Sequence, residues 1–275
     1  MSEWWWGIFL ITGIVGGGLA GLLGIGGGIV YVTVLAWWID AMQWPLSGDD
    51  PPKLIIANSI AVIFFTTAYG TFTLMRKQQF DPRRWVPAAA GGILGIILST
   101  RFVLDSGIYH KKLFSMVFLG VVGAYFLFSV LDRSSKTATP RRSRPLPGWV
   151  AFSIGLAGGL LSGLLGIGGG MVMVPLLLAW MGSHSTQEAS HLSLITIPWM
   201  TLAGMIMYAS STRAVPHLIA GQWKFFIAPV IGAMSIGTMM GVPLGLRLGT
   251  RCSVRRFKAV FLLIIVASAV KMLFV

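Results

Sequence analysis

Gly26-Gly27-Gly28 and Gly168-Gly169-Gly170 are the residues of this chain best suited to hold a small anion. Consecutive glycine amides, with no Cβ in the way, form a concave row of N–H donors. Each triplet precedes a short apolar run that reads as a helix, and a helix N-terminus adds roughly half a positive charge. Tight helix packing is the other use of such glycines. Asn58, Ser59, Ser193 and Thr196 are polar side chains in the apolar runs that follow the two triplets. They can touch a substrate or merely link helices. His191 is the most titratable group near these positions and suits a proton-coupled step, or equally an interfacial histidine. Arg101 and Arg247 can attract an anion or anchor helix ends by snorkelling. No Asp or Glu lies deep in an apolar run, which speaks against a carboxylate-based cation pump. Paired acids, a Ser/His/Asp set and a His/Cys cluster are all missing from the runs, so no enzyme activity, metal or cofactor is expected.

The elements that must position these residues come in two copies. Gly21-Leu22-Leu23-Gly24-Ile25-Gly26-Gly27-Gly28 is repeated letter for letter from Gly163 to Gly170. Glycine in a helix interior costs about 1 kcal/mol against alanine, so a helix is expected to break at each copy. The chain is 275 residues long, 55% hydrophobic and 11% charged, with a mean hydropathy of +0.80. Those values describe an all-α polytopic membrane protein of about 8–10 membrane segments, counting the broken elements. In lipid, a broken backbone survives only where protein or a water-filled cavity satisfies its freed polar groups. A break repeated in both halves therefore points to a transport site.

In chain order, Trp4–Leu23 is long enough to span, and Ile29–Ile39 after the break is about half that length. Leu54–Met75, Trp85–Leu104 and Leu113–Leu131 follow. The second half reads Trp149–Leu165, the break, Met171–Met181, Ser190–Tyr208, Phe225–Leu246 and Phe257–Phe274. The organisation is thus a first membrane repeat over 1–131, a basic linker over 132–148 and a second repeat over 149–275. Gly91-x-x-x-Gly95 and Gly237-x-x-x-Gly241 are small-residue patterns for close helix contact. The tryptophans at run ends read as interfacial belts.

The net charge of +13 sits in short loops, where it sets membrane orientation and does not point to nucleic acid. If each broken element crosses once, 12 Lys and Arg fall on one side and 9 on the other. If it crosses an even number of times, as two spans or as a hairpin dipping into the membrane, the split is 14 against 7. The second arrangement separates charge better. It puts Arg76–Arg84, the linker and the group from Arg247 inside and both termini outside. An odd segment count per half then makes the repeats inverted, a common design of secondary transporters.

The duplicated Gly-Leu-Leu-Gly-Ile-Gly-Gly-Gly, with Pro175 in the second copy and Ser59 and Ser193 after the breaks, resembles the sulfite exporter TauE/SafE family. The resemblance runs through essentially the whole chain. Thr33 stands in the first copy where the second has Pro175, and Asn58 and Leu192 precede the two serines. The family implies a secondary transporter, an exporter, of small sulfur-containing anions such as sulfite, sulfoacetate or related organosulfonates. A multi-pass protein of a prokaryotic cytoplasmic membrane is expected, and the glycine residues themselves place the anion between the repeats at the two breaks. The expected partners are the anion and the lipid bilayer, with a homo-oligomer left open. A non-transporting membrane scaffold or assembly factor is the alternative.

Overall fold

The computed structural model describes residues 4–24, 26–46, 48–76, 81–107, 109–131, 145–181 and 186–248. Cys252, most of the linker and the expected last span lie outside the described residues. The elements are α1 (Trp4–Leu23), α2 (Gly28–Met42), α3 (Asp50–Met75), α4 (Pro82–Asp105), α5 (Lys111–Leu131), α6 (Gly148–Leu165), α7 (Gly170–Met181), α8 (Thr186–Ser210), β1 (Gln222–Trp223), β2 (Phe226–Ile227) and α9 (Ala228–Leu248). Among the described residues, α1, α3, α4, α6, α8 and α9 are long and apolar enough to cross a membrane, while α2 and α7 are shorter apolar helices. The protein is a multi-pass helical membrane protein.

Local chemistry sets the helix starts. Asp81 caps α4 by accepting from the Arg83 N–H at 3.0 Å, with Pro82 in the first helical position, where its missing N–H costs nothing. Helix α2 runs further than the apolar pattern suggested, to Met42. Asp40 is tolerated there because Lys111 donates to it at 2.6 Å. Two short strands pair antiparallel, Gln222 with Ile227 and Trp223 with Phe226, a hairpin that the sequence pattern did not announce.

Each glycine break is the turn of a helical hairpin. Trp5 and Trp37 lie 5.1 Å apart, as do Phe9 and Trp38, so α2 runs back along α1. Trp149 and Trp180, 5.9 Å apart, close the α6–α7 hairpin in the same way. The first four helices of each half pack in matching fashion. α1 lies along α9, and α6 lies along α4. These seams are lined by glycines: a Cβ at Gly237 would strike the Leu10 carbonyl, and one at Gly91 the Phe152 carbonyl. Without a hydrophobic drive between helices in lipid, such close backbone approach supplies the packing energy. α3 and α8 cross antiparallel at the centre, with Thr71 Oγ1 donating to the Leu194 carbonyl at 2.9 Å and Gly204 facing Ile60. Arg84 pairs with Glu188 at one end of the bundle. The Asp40–Lys111 pair and the 211–227 segment lie at the other.

Candidate functional site

The two breaks share one geometry. Gly24, Gly26 and Gly27 have φ of 68°, 81° and 70°, and Gly166, Gly168 and Gly169 have 70°, 83° and 69°. Left-handed backbone three times in four residues is what makes glycine obligatory in these turns. The Gly24 N–H closes α1 on the Ala20 carbonyl at 2.9 Å, and the Gly166 N–H closes α6 on Ser162 at 2.7 Å. On the far side, the Gly27 carbonyl accepts from Val30 and Tyr31, and that of Gly169 from Val172 and Met173. Among the described residues, the amides of Gly26, Gly27, Gly168 and Gly169 donate to no backbone carbonyl.

The breaks meet between α3 and α8. A Cβ at Gly28 would run into the Ile167 backbone of the other break. The Ile63 Cγ2 methyl lies 3.5 Å from the Cβ direction of Gly26 and 2.9 Å from that of Gly168, and the Ile197 Cδ1 lies 3.7 Å from that of Gly26. Ile63 and Ile197 take matching places after Ser59 and Ser193, one from each half. Both are fully buried.

The serines tie each break to the opposite half. Ser59 of α3 donates to the Gly166 carbonyl at 2.6 Å, and Ser193 of α8 donates to the Gly24 carbonyl at 3.0 Å. Each hydroxyl proton is thus already placed on a break. Asn58 serves the hairpin: its Nδ2 donates to the Leu54 and Phe225 carbonyls, and its Oδ1 accepts from the Ile227 N–H, all at 2.8 Å. Thr196 returns its proton to Leu192 in its own helix at 2.8 Å. The Cβ directions of Gly27 and Gly169 point at the Gly16 and Gly158 carbonyls of the paired helix, so these two glycines also permit hairpin closure. His191 is half-buried early in α8, next to Ser190, whose backbone abuts Gly24. Arg101 and Arg247 are exposed on the bundle surface. The structure therefore gathers the glycine triplets and the two serines, and leaves both arginines outside that group.

Sequence comparison decides the family. The model of the sulfite exporter TauE/SafE family matches residues 9–272. The chain belongs to that family. A probable membrane transporter protein of Bacillus subtilis, YunE, is 26% identical over 94% of this chain and 94% of its own length. One of Methanocaldococcus jannaschii is 25% identical over 91% and 89%, and one of Haemophilus influenzae 25% identical over 84% and 82%. No solved structure matches the chain. The protein is a membrane transporter of the TauE/SafE type.

Proposed function

We propose that this transporter exports small sulfur-containing anions, such as sulfite, sulfoacetate or related organosulfonates, across the cytoplasmic membrane of a prokaryote. The anion binds where the two breaks meet, between inverted repeats 1–131 and 149–275 joined by the 132–148 linker. The observation that carries this reading is the convergence on Ile63: the glycine turns of both halves, each leading into a helix and each with amides that donate to no backbone carbonyl among the described residues, come to one buried place. Two helix N-termini there favour negative charge without a fixed cation. A site without Arg or Lys releases its anion readily, as turnover requires. Antiparallel α3 and α8 support the inverted relation, since they are counterparts in the two halves. The end bearing Arg84 is the cytoplasmic one, in line with the excess of Lys and Arg expected there.

Ile63 and Ile197 close the meeting point in this conformation, so binding requires both to withdraw. Purified protein in proteoliposomes loaded with sulfite or sulfoacetate tests the reading. Efflux above protein-free vesicles is expected. The absence of flux for every anion tried, from protein that is folded and inserted, would leave the scaffold reading in its place.

A further inference from the structure

Three buried hydroxyls beside the second break have no hydrogen-bond partner among the described residues: Thr100 of α4, Ser162 of α6 and Tyr208 of α8. Thr100, Ser162 and Tyr208 are each 0% exposed. A buried polar group left without a hydrogen bond is destabilising, and native structures carry few. Three in one neighbourhood therefore call for a common cause. The neighbourhood is set by contacts. α4 and α8 run side by side in the same direction, Gly92 against Met200 and Ile96 against Gly204. One turn further on, that register brings Thr100 to Tyr208. On α6, Gly163 abuts Ser99 and Thr100, with its Cβ direction 3.0 Å from Thr100 Oγ1, and Ser162 lies one helical turn on from Gly158, which faces the Gly169 carbonyl of the second break. The Tyr208 ring packs against Phe225 at 5.5 Å, whose carbonyl accepts from Asn58, the residue before the Ser59 that donates to Gly166 of the second break. The Ser162 carbonyl in turn caps the break through the Gly166 N–H.

The matching place in the other half is apolar. Counting from the paired glycines and serines, Thr100 corresponds to Leu246, Ser162 to Ala20 and Tyr208 to Leu74. Repeat symmetry alone would make the two places alike, so the three hydroxyls are a local departure that packing does not explain.

We propose that Thr100, Ser162 and Tyr208 form an oxyanion subsite on the approach to the second break from the end opposite Arg84. There they donate hydrogen bonds to the oxygens of the transported anion. This rests on the transport reading above and adds a place where the anion pauses on one side only. Neutral hydroxyl donors can replace part of an anion's hydration without trapping it, as a fixed cation would.

Thr100→Val, Ser162→Ala and Tyr208→Phe remove each hydroxyl with little change of shape. Each full-length variant is titrated with sodium sulfite and sodium methanesulfonate, reading thermal shift in detergent and flux in proteoliposomes. The subsite predicts that each variant needs about tenfold more anion for half-maximal response, the effect of one hydrogen bond to a charged group. The ligand-free melting temperature should stay equal or rise, because an unpartnered hydroxyl has been removed. A wild-type response to anion in all three variants overturns the subsite alone. So does a weakened response accompanied by a lower ligand-free melting temperature, which marks a structural role. If wild-type protein responds to neither anion, the transport reading falls, and the subsite with it.

Discussion

Replacing Ser59 and Ser193 by alanine, singly and together, tests whether these side chains hold the breaks or the substrate. In the structure each serine donates its only proton to a carbonyl of the opposite half, at 2.6 Å for Ser59 and 3.0 Å for Ser193. Both serines are fully buried. A typical hydrogen bond contributes about 0.5–1.5 kcal/mol net, and a buried carbonyl left without a donor costs about 1–3 kcal/mol. Measured values between membrane helices average about 0.6 kcal/mol, because the unfolded chain in the membrane also finds partners. A loss of about 1 kcal/mol is therefore expected for each variant, larger for Ser59→Ala because its bond is the shorter. The breaks touch through Gly28 and Ile167, so loosening one should disturb the other. The double variant should then deviate from additivity by about 0.5 kcal/mol or more. Reversible unfolding in mixed detergent micelles, followed by tryptophan fluorescence, measures all three. Single variants within about 0.3 kcal/mol of wild type would refute the tie. An additive double variant would refute coupling through the contact. Lost flux at unchanged stability would instead place the hydroxyls on the anion.

Three other perturbations follow from named contacts. Asn58→Leu, which copies Leu192 in the other half, removes the side chain that holds Phe225 and Ile227; it should cost about 2–4 kcal/mol, taking two orphaned backbone groups, and speed proteolysis within 211–227. Lys53 holds the Asp49 carboxyl below its ordinary 3.8, so that pair's stabilisation is complete above that pH and is lost as pH falls toward the lowered value; Asp49→Asn should flatten the acid limb of an unfolding-versus-pH curve. His191→Gln should flatten the pH dependence of flux if the half-buried imidazole takes part in a proton-linked step, and an unchanged profile at normal expression would remove it from the mechanism.

What the sequence made legible was what repeats locally. The eight-residue glycine motif is an unbroken string, and the φ signs it requires are confined to that string. Helix extents were close wherever polar residues bound an apolar run, and α2 overran its expected end because Asp40 finds Lys111 from a distant segment. Side-chain roles were less legible. Ser59 and Ser193 stood out as polar groups after each break, but nothing local says that each hydroxyl reaches the break of the other half. That follows from the antiparallel crossing of α3 and α8, a long-range fact. Asn58 is a similar case, since its partners lie in a hairpin of two-residue strands too short to leave a pattern.

Thr100, Ser162 and Tyr208 lie on three different helices and share no spacing, so only the packed bundle brings them together. Duplication supplies the means to read them. Where both halves keep the same chemistry, as at the glycines and the two serines, the shared fold accounts for it. Where one half carries hydroxyls and the other Leu246, Ala20 and Leu74, the fold accommodates either set. The difference then has to be explained by something that distinguishes the two ends of the bundle. A vectorial transporter must treat those ends differently, because its substrate approaches from one and leaves by the other. Departures from internal symmetry close to the meeting point of the breaks are accordingly where direction and selectivity should be sought.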